Sequence, residues 1–383
     1  MKIGIDAHMV GHQATGNYTY VVNVIQALVQ LNGASHHYTI YVNQPELVTS
    51  LSLRSGRTDV RLLRPPSSLA RILFSLPIEI WRRPVDVVHM QYIMPPVLPR
   101  CATVLTVHDI SFEHFPEFFT RRDLLRTRRL VRPSALRADI VIAVSEYTKQ
   151  DLVKTYGIDS ERIVVTPLAP GPLLRPPEDS AETERVCRGY GIDGPYFLYV
   201  GDIQPRKNVR RLIQAYARLM AAGDIRHRLV IVGRKAYLYS DVFEEARRSG
   251  LGDQIVFTDF VPQDHLPHLY AGADAFVFPS LFEGFGRPVL EAMACGAAVI
   301  TSRSSSLPEV AGAAALYVDP YSVDEIARAL RRVAHDGELR TRLSAAGREQ
   351  AVRFSWEQTA RRTLDAYEAA YEAGRRRRAK VGA

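Results

Sequence analysis

The sequence predicts an α/β protein made of two doubly wound, Rossmann-like domains, and three observations carry that prediction. Short apolar runs rich in Val, Ile and Phe alternate with longer stretches of helical periodicity, the order expected when parallel strands are joined by crossover helices. The alternation occurs twice, and the two series are separated by a stretch with five prolines between Pro167 and Pro177, followed by polar and acidic residues to Glu184. At 383 residues the chain is also long for a single hydrophobic core, since domains typically run to roughly 100–200 residues.

In chain order, Lys2–Asp6 reads as the first strand and Gly16–Leu31 as the first helix, with Tyr20, Val24, Leu28 and Leu31 at helical spacing. Strand-like runs follow at Tyr38–Val42, Val60–Leu63, Asp86–His89, Thr103–Val107, Ile140–Val144 and Ile163–Thr166. The second series places strands at Tyr196–Val200, Leu229–Val232, Ile255–Thr258, Ala275–Phe278, Ala298–Thr301 and Leu316–Val318. Ser145 reads as a helix cap, and Ser355 with Gln358 as the capping box that starts the last helix. The expected organisation is a first domain over 1–168, a linker over 169–194, a second domain over 195–354, and a terminal helix with a basic tail over 355–383.

Composition narrows the class. A hydrophobic content of 46% and a charged content of 23% belong to an ordinary globular protein. No apolar run approaches the roughly 20 residues of a membrane span, and the chain opens directly on a strand, so a cytoplasmic protein is expected. Cys101, Cys187 and Cys295 are an odd count at no metal-ligand spacing, which predicts reduced packing residues and neither a disulfide nor a metal site. The formal charge of +8 suits nucleic acid, an anionic membrane or an anionic small substrate. No nucleic-acid module accompanies the arginines of Arg121–Arg137 or Arg375–Arg378, so no nucleic-acid partner is expected. The first cluster is interleaved with Leu124, Leu125, Leu130 and Val131, the pattern of a basic helix that lies on anionic lipid. A solvated helix face and a frayed tail would give the same sequence.

The chemistry concentrates around Phe278–Gly296. An apolar run ends at Phe278-Pro279; Glu283 follows in a loop with Gly284, Phe285 and Gly286; Arg287-Pro288 opens a helix that Gly296 closes. Glu291 lies about one turn inside that helix, and helical side chains lean toward the N-terminus, so the two carboxylates are expected to face one crevice. Free N–H groups at the helix start attract phosphate. Phosphate donors beside carboxylates suit a sugar nucleotide, although a glutamate favoured by the helix dipole beside turn-forming glycines accounts for the same spacing. Gly201-Asp-Ile-Gln-Pro-Arg206-Lys207 places two cations ahead of a helix, where the dipole opposes them unless an anion is bound. Gly233-Arg-Lys235 repeats the strand-to-glycine pattern. In the first half, His8–Gly16 and the segment with His108 and Asp109 both follow strand ends, where ligands bind in open parallel sheets.

The segments Asp274–Gly296 and Ser305–Gly312 resemble the signature of the family 4 glycosyltransferases, retaining enzymes of the GT-B fold, and the similarity runs from Lys2 to about Tyr371. The family loop after the first strand contains Gly-x-Gly followed by Arg-Tyr; here Ala14-Thr-Gly16-Asn-Tyr18 keeps the second glycine and the tyrosine. The resemblance implies two domains facing a central cleft. It implies that Arg206 and Lys207 bind the diphosphate, that Glu283 binds sugar hydroxyls and Glu291 the ribose, and that His108 contacts the transferred sugar. Gly16, Gly201, Gly233, Phe285 and Gly286 join the nucleotide-binding set. No paired aspartates or Asp-x-Asp motif follows a strand end, so no metal is expected; the resemblance implies no cofactor beyond the nucleotide-sugar substrate, and a glycan or lipid-linked acceptor. His89–Pro96, Val107–Phe112 and Val200–Lys207 look most like mannosyltransferases that use GDP-mannose in polysaccharide or lipid-linked glycan assembly. UDP-glucose is the alternative donor, and a GT-B epimerase or a catalytically silent sugar-nucleotide binder is the alternative class.

Overall fold

The structure is a computed structural model and describes residues 1–8, 16–31, 35–44, 57–65 and 67–381. The chain divides into two compact units, Met1–Leu168 with Ser355–Ala383, and Ala169–Phe354. The stretch 169–194, expected to be a linker, carries the helix Ser180–Gly189, whose start is capped by the Asp179 side chain. That helix packs within the second unit, burying Val186 and Cys187 and joining Thr183 Oγ1 to His268 Nδ1 at 2.9 Å. The prolines end at Pro177, and the run that follows them has ordinary helix formers and a cap, so the connection is shorter than composition suggests.

The first unit holds a seven-stranded sheet in the order β3-β2-β1-β4-β5-β6-β7. Its strands are β1 (Lys2–Asp6), β2 (His37–Val42), β3 (Thr58–Leu62), β4 (Val87–Gln91), β5 (Ala102–Val107), β6 (Ile140–Ala143) and β7 (Ile163–Val165). The second holds a six-stranded sheet in the order β10-β9-β8-β11-β12-β13, from β8 (Tyr196–Val200), β9 (Arg228–Val232), β10 (Ile255–Asp259), β11 (Ala275–Phe278), β12 (Val299–Ser302) and β13 (Ala315–Val318). Every pairing in both sheets is parallel. Strand order therefore reverses at β1/β4 in one sheet and at β8/β11 in the other, and the carboxyl ends of those strands are where an open parallel sheet binds ligands.

In the first unit, strand residues Val88, Met90, Leu105, Val107, Val141 and Ala143 join Leu76 and Ile80 of the Leu76–Arg82 helix and Val131 and Ala135 of the Arg121–Arg137 helix in one apolar cluster. His89 alternates with Val88 and Met90 and points to the other face of the sheet. There the hydroxyl of Tyr367, on the Trp356–Val381 helix, lies 2.8 Å from His89 Nδ1, and Thr359 Oγ1 donates to Pro167 O at 2.5 Å. Ser355 Oγ accepts from Gln358 N at 3.2 Å, the expected cap. The terminal arginines are helical rather than frayed, and Arg377 Nη1 lies 2.9 Å from Asp139 Oδ1. The three cysteines are buried free thiols. Among the described residues no helix is long and apolar enough to cross a membrane.

Candidate active site

The second unit assembles its charged residues at the β8/β11 reversal. β8 ends at Val200 and the chain runs through Gly201 to a short 3-10 turn, Pro205–Lys207; β11 ends at Phe278 and the chain runs to the Arg287–Ala294 helix. Because β8 and β11 pair side by side, both loops leave adjacent strand ends. A main-chain and a side-chain hydrogen bond stitch them together: Leu281 N donates to Arg206 O at 2.8 Å, and Asn208 Nδ2 donates to Pro279 O at 3.0 Å. Two glycines permit close approaches of neighbouring segments to these loops. Gly233 has φ 156°, and a Cβ there would lie 1.9 Å from Gly201 O; Gly286, at φ 94°, would put a Cβ 2.5 Å from Leu307 Cδ2.

Glu283 is the centre of the assembly. Lys207 Nζ donates to its Oε1 at 2.7 Å, Ser280 Oγ donates to the same oxygen at 2.5 Å, and Arg206 Nη1 lies 3.3 Å from Oε2. Its backbone is fixed as firmly: Glu283 N donates to Ser305 Oγ at 2.8 Å and Ser306 Oγ donates to Glu283 O at 2.9 Å. Burial alone would push the carboxyl up, but Lys207 and Arg206 outweigh it and hold Glu283 below the usual carboxylate range. Lys207 Nζ also sits 4.9 Å from the centre of the Phe278 ring, and Arg206 donates to Phe282 O. Two cationic side chains face one carboxylate, so the cluster as a whole favours an added anion, while the carboxylate offers hydrogen-bond acceptors to hydroxyls.

Glu291 does not share those contacts. Its Oε1 lies 2.8 Å from Arg287 Nε and its Oε2 accepts from Tyr270 OH at 3.3 Å. The Phe285 ring is buried edge-on against Phe354, with centroids 5.7 Å apart, which leaves its backbone as the part available to a ligand. Arg234 Nε is 3.3 Å from Asp202 Oδ1, joining the loops after β8 and β9.

In the first unit His108 follows β5 and is buried. Its Nε2 lies 3.0 Å from Gln91 Oε1, the Tyr20 ring meets it edge-on at 4.8 Å, and the Tyr92 ring lies at 5.6 Å. An amide oxygen accepts, so this contact makes Nε2 the protonated nitrogen. Ser145 Oγ caps the Glu146–Tyr156 helix by accepting from Thr148 N at 3.0 Å, and Thr148 Oγ1 donates to His108 O at 3.4 Å. Gly16 opens the Gly16–Leu31 helix, and the rest of the loop expected to contact diphosphate or acceptor, residues 9–15, lies outside the described residues.

The structure thus brings Arg206, Lys207 and Glu283 together and gives Glu291 and His108 separate surroundings. Sequence reasoning missed Ser280, Ser305 and Ser306 around Glu283, Tyr270 and Arg287 around Glu291, and Gln91, Tyr92 and Tyr20 around His108. Only Ser280, three residues before Glu283, and Arg287, four before Glu291, had a local signal. Among the described residues no group of three or more His, Cys, Asp or Glu side chains gathers to hold a metal ion.

The family model described as Glycosyl transferases group 1 matches residues 185–350, and that of Glycosyltransferase Family 4 matches residues 16–169. The chain is 35% identical over 277 residues to the O-antigen chain mannosyltransferase B of Escherichia coli, an alignment covering 72% of each chain. It is 34% identical over 234 residues to the serotype-specific mannosyltransferase WbdA of Escherichia coli, over 60% of this chain and 29% of that longer protein. Among solved structures, sucrose-phosphate synthase from Thermosynechococcus elongatus superimposes with a TM-score of 0.77 at 21% identity, covering 97% of this chain and 100% of the other. These matches define a glycosyltransferase with the two Rossmann-like domains of the GT-B class. The chain belongs to glycosyltransferase family 4, within its mannosyltransferase-like members.

Proposed function

We propose that this enzyme is a retaining, metal-independent hexosyltransferase that moves mannose from GDP-mannose onto a glycan or lipid-linked acceptor in polysaccharide biosynthesis. The observation that carries the proposal is the Lys207–Glu283–Arg206 cluster at the β8/β11 reversal. The choice of mannose is supported by the 35% identity to an O-antigen chain mannosyltransferase.

In this reading Arg206 and Lys207 turn from Glu283 toward the donor diphosphate and stabilise the charge that grows on it as the bond from the sugar C1 breaks. Preorganised cations in a water-poor site supply about 3 kcal/mol each to such a step. Glu283 accepts from sugar hydroxyls, Glu291 from the ribose, and His108 contacts the transferred sugar. The acceptor oxygen bonds to C1 on the face the diphosphate leaves, and the acceptor proton passes to the departing phosphate oxygen. No side chain is required as general base. A cytoplasmic site, peripheral to an anionic membrane that holds a lipid-linked acceptor, belongs to the same proposal.

The test is sugar release and transfer from GDP-mannose and UDP-glucose, with and without acceptor, the product anomer being read by NMR. Mannose transfer with retained configuration, at a rate EDTA does not change, is expected. Preference for UDP-glucose overturns the donor, recovery of an epimerised nucleotide sugar overturns the reaction, and chelation that abolishes a manganese-restorable activity overturns the role given to Arg206 and Lys207.

A further inference from the structure

The segment between β3 and β4 is apolar on both of its sides. Ile72, Leu76 and Ile80 recur every four residues and are buried, Leu76 and Ile80 in the apolar cluster against the sheet. Arg71, in the same segment, also turns inward and pairs with buried Asp6 at the end of β1, which anchors the segment to the unit. On the outer side Leu69, Phe74, Ile78 and Trp81 are 62%, 60%, 45% and 74% exposed. Phe74, Ile78 and Trp81 follow the i, i+4, i+7 spacing of one helical stripe. Four large apolar side chains left uncovered on one short helical stretch mark an interaction surface.

The rim of that stripe is basic. Arg82 and Arg83 are exposed at the end of the helix, and the one acid of the Leu76–Arg82 helix, Glu79, lies 3.5 Å from Arg83. The Arg121–Arg137 helix packs into the same cluster through Val131 and Ala135, so it covers the same face of the sheet. Its outer side exposes Arg121, Arg122, Arg126, Arg129 and Arg132 together with Leu125. Its sequence has seven arginines and a single acid, Asp123, which is engaged by Thr120 at the helix start.

We propose that this face of the first unit docks on an anionic phospholipid bilayer, with Phe74, Ile78 and Trp81 in the interfacial layer and the arginines over the headgroups. Tryptophan beside aliphatic side chains and arginine is the composition that partitions to that layer. Charge selects the bilayer over a second copy of the chain, because a two-fold contact through this face would bring like arginine clusters together. The inference deepens the peripheral location proposed above, but its side chains lie outside the transfer site, so lipid binding and sugar transfer can fail separately.

The chain has two tryptophans, and Trp356→Phe leaves Trp81 as the sole reporter. With vesicles of equal parts phosphatidylglycerol and phosphatidylcholine at low salt, Trp81 emission shifts to the blue and the protein co-sediments; pure phosphatidylcholine gives neither. In the same background, Phe74→Ser with Ile78→Ser weakens partitioning about tenfold or more, and Arg82→Glu with Arg83→Glu weakens it about fivefold or more for each charge removed. Both variants keep the parental circular dichroism and the parental transfer rate to a water-soluble acceptor. Unshifted Trp81 emission, equal binding to neutral and anionic vesicles, or concentration-dependent dimerisation that the serine pair abolishes would each overturn the proposal, the last by showing that a second copy covers the stripe.

Discussion

The two units surround their candidate site residues by different electrostatic means. At the β8/β11 reversal the second unit buries full charges and balances them against each other, Glu283 against Lys207 and Arg206. Around β4 and β5 the first unit buries hydrogen-bonding rings and amides, its buried Asp6–Arg71 ion pair lying at the end of β1: His108 meets Gln91 and two tyrosine rings, while His89 bridges Tyr367 and Thr106 at 2.8 and 2.7 Å. Burial, with repulsion from His108 added, holds His89 uncharged by bringing its pKa down to about 3. On the proposed function, the second unit's cluster would take an anion with sugar hydroxyls and the first unit's network a hydrogen-bonding surface. The difference also teaches where each unit is fragile, since a charged cluster fails when one partner is removed and a neutral one fails when a proton is added.

The sharpest break in that comparison is Glu283→Gln. It keeps the shape and removes the charge, and turnover is expected to fall about 10²–10³-fold, while nucleotide affinity measured by calorimetry survives because Arg206 and Lys207 remain. The matching change in the first unit, Gln91→Leu, removes the partner of His108 Nε2 and is expected to lower turnover about tenfold, in proportion to a single neutral hydrogen bond. Parental turnover for Glu283→Gln would remove the carboxylate from the reaction.

Lys207→Met separates folding from function. Losing one partner of a buried ion pair costs about 3–5 kcal/mol, so Lys207→Met alone should lower the melting temperature markedly. Adding Glu283→Gln removes the stranded charge and should restore most of that loss, whereas transfer activity stays lost. Recovery of both together would mean that the cluster only holds the fold.

The contrast also explains how much was legible beforehand. All thirteen strands of both sheets lie where apolar runs predicted them, to within two residues at their ends, because buried parallel strands read as continuous Val, Ile and Phe segments. Arg206, Lys207 and Glu283 were visible because the second unit draws its charges from two contiguous loops on adjacent strands. The surroundings of His108 were not, because Tyr20, Gln91 and Tyr92 come from a different helix and strand, and neutral hydrogen-bonding residues leave no periodic or charge signal. The proline-rich boundary overreached for a related reason: composition marks where a chain cannot be regular, but Asp179 restarts a helix two residues after the last proline.

Acid should find the two units at different pH. In the first, the native state keeps His89 unprotonated from its ordinary 6.5 down to about 3 while the unfolded chain takes up a proton, so stability falls as pH drops through that window and levels off below it. In the second, the lowered Glu283 carboxyl contributes stability above its ordinary 4.5, and that contribution is lost only as pH falls through the still lower folded value. Both tryptophans, Trp81 and Trp356, belong to the first unit. Tryptophan-detected unfolding should therefore weaken steadily below pH 6.5, and His89→Gln should flatten that slope. An unchanged slope would assign the acid sensitivity to groups other than His89; Asp6, whose carboxyl is brought from 3.8 down to about 2 by His8 and Arg71 against the opposing effect of burial, adds a loss only below pH 3.8.

The smallest expected effect tests whether the neutral network is held by hydrogen bonds or by packing alone. Tyr367→Phe keeps the ring that meets His89 edge-on at 5.5 Å and deletes only the hydroxyl 2.8 Å from His89 Nδ1. A lost neutral hydrogen bond that leaves its partner buried costs about 1–3 kcal/mol, and the cost should appear in urea unfolding followed by tryptophan emission. Burial of His89 is undiminished, so the acid slope between pH 6.5 and about 3 should persist in the variant. Nucleotide affinity, assigned in the proposed function to side chains of the second unit, should match the parent. If Tyr367→Phe is as stable as the parent, the helix Trp356–Val381 is retained by its apolar face and by Thr359, and the His89 contact is only tolerated. If it loses both stability and the acid slope, the hydroxyl rather than burial sets the protonation of His89, and the contrast drawn between the two units would narrow to one of charge alone.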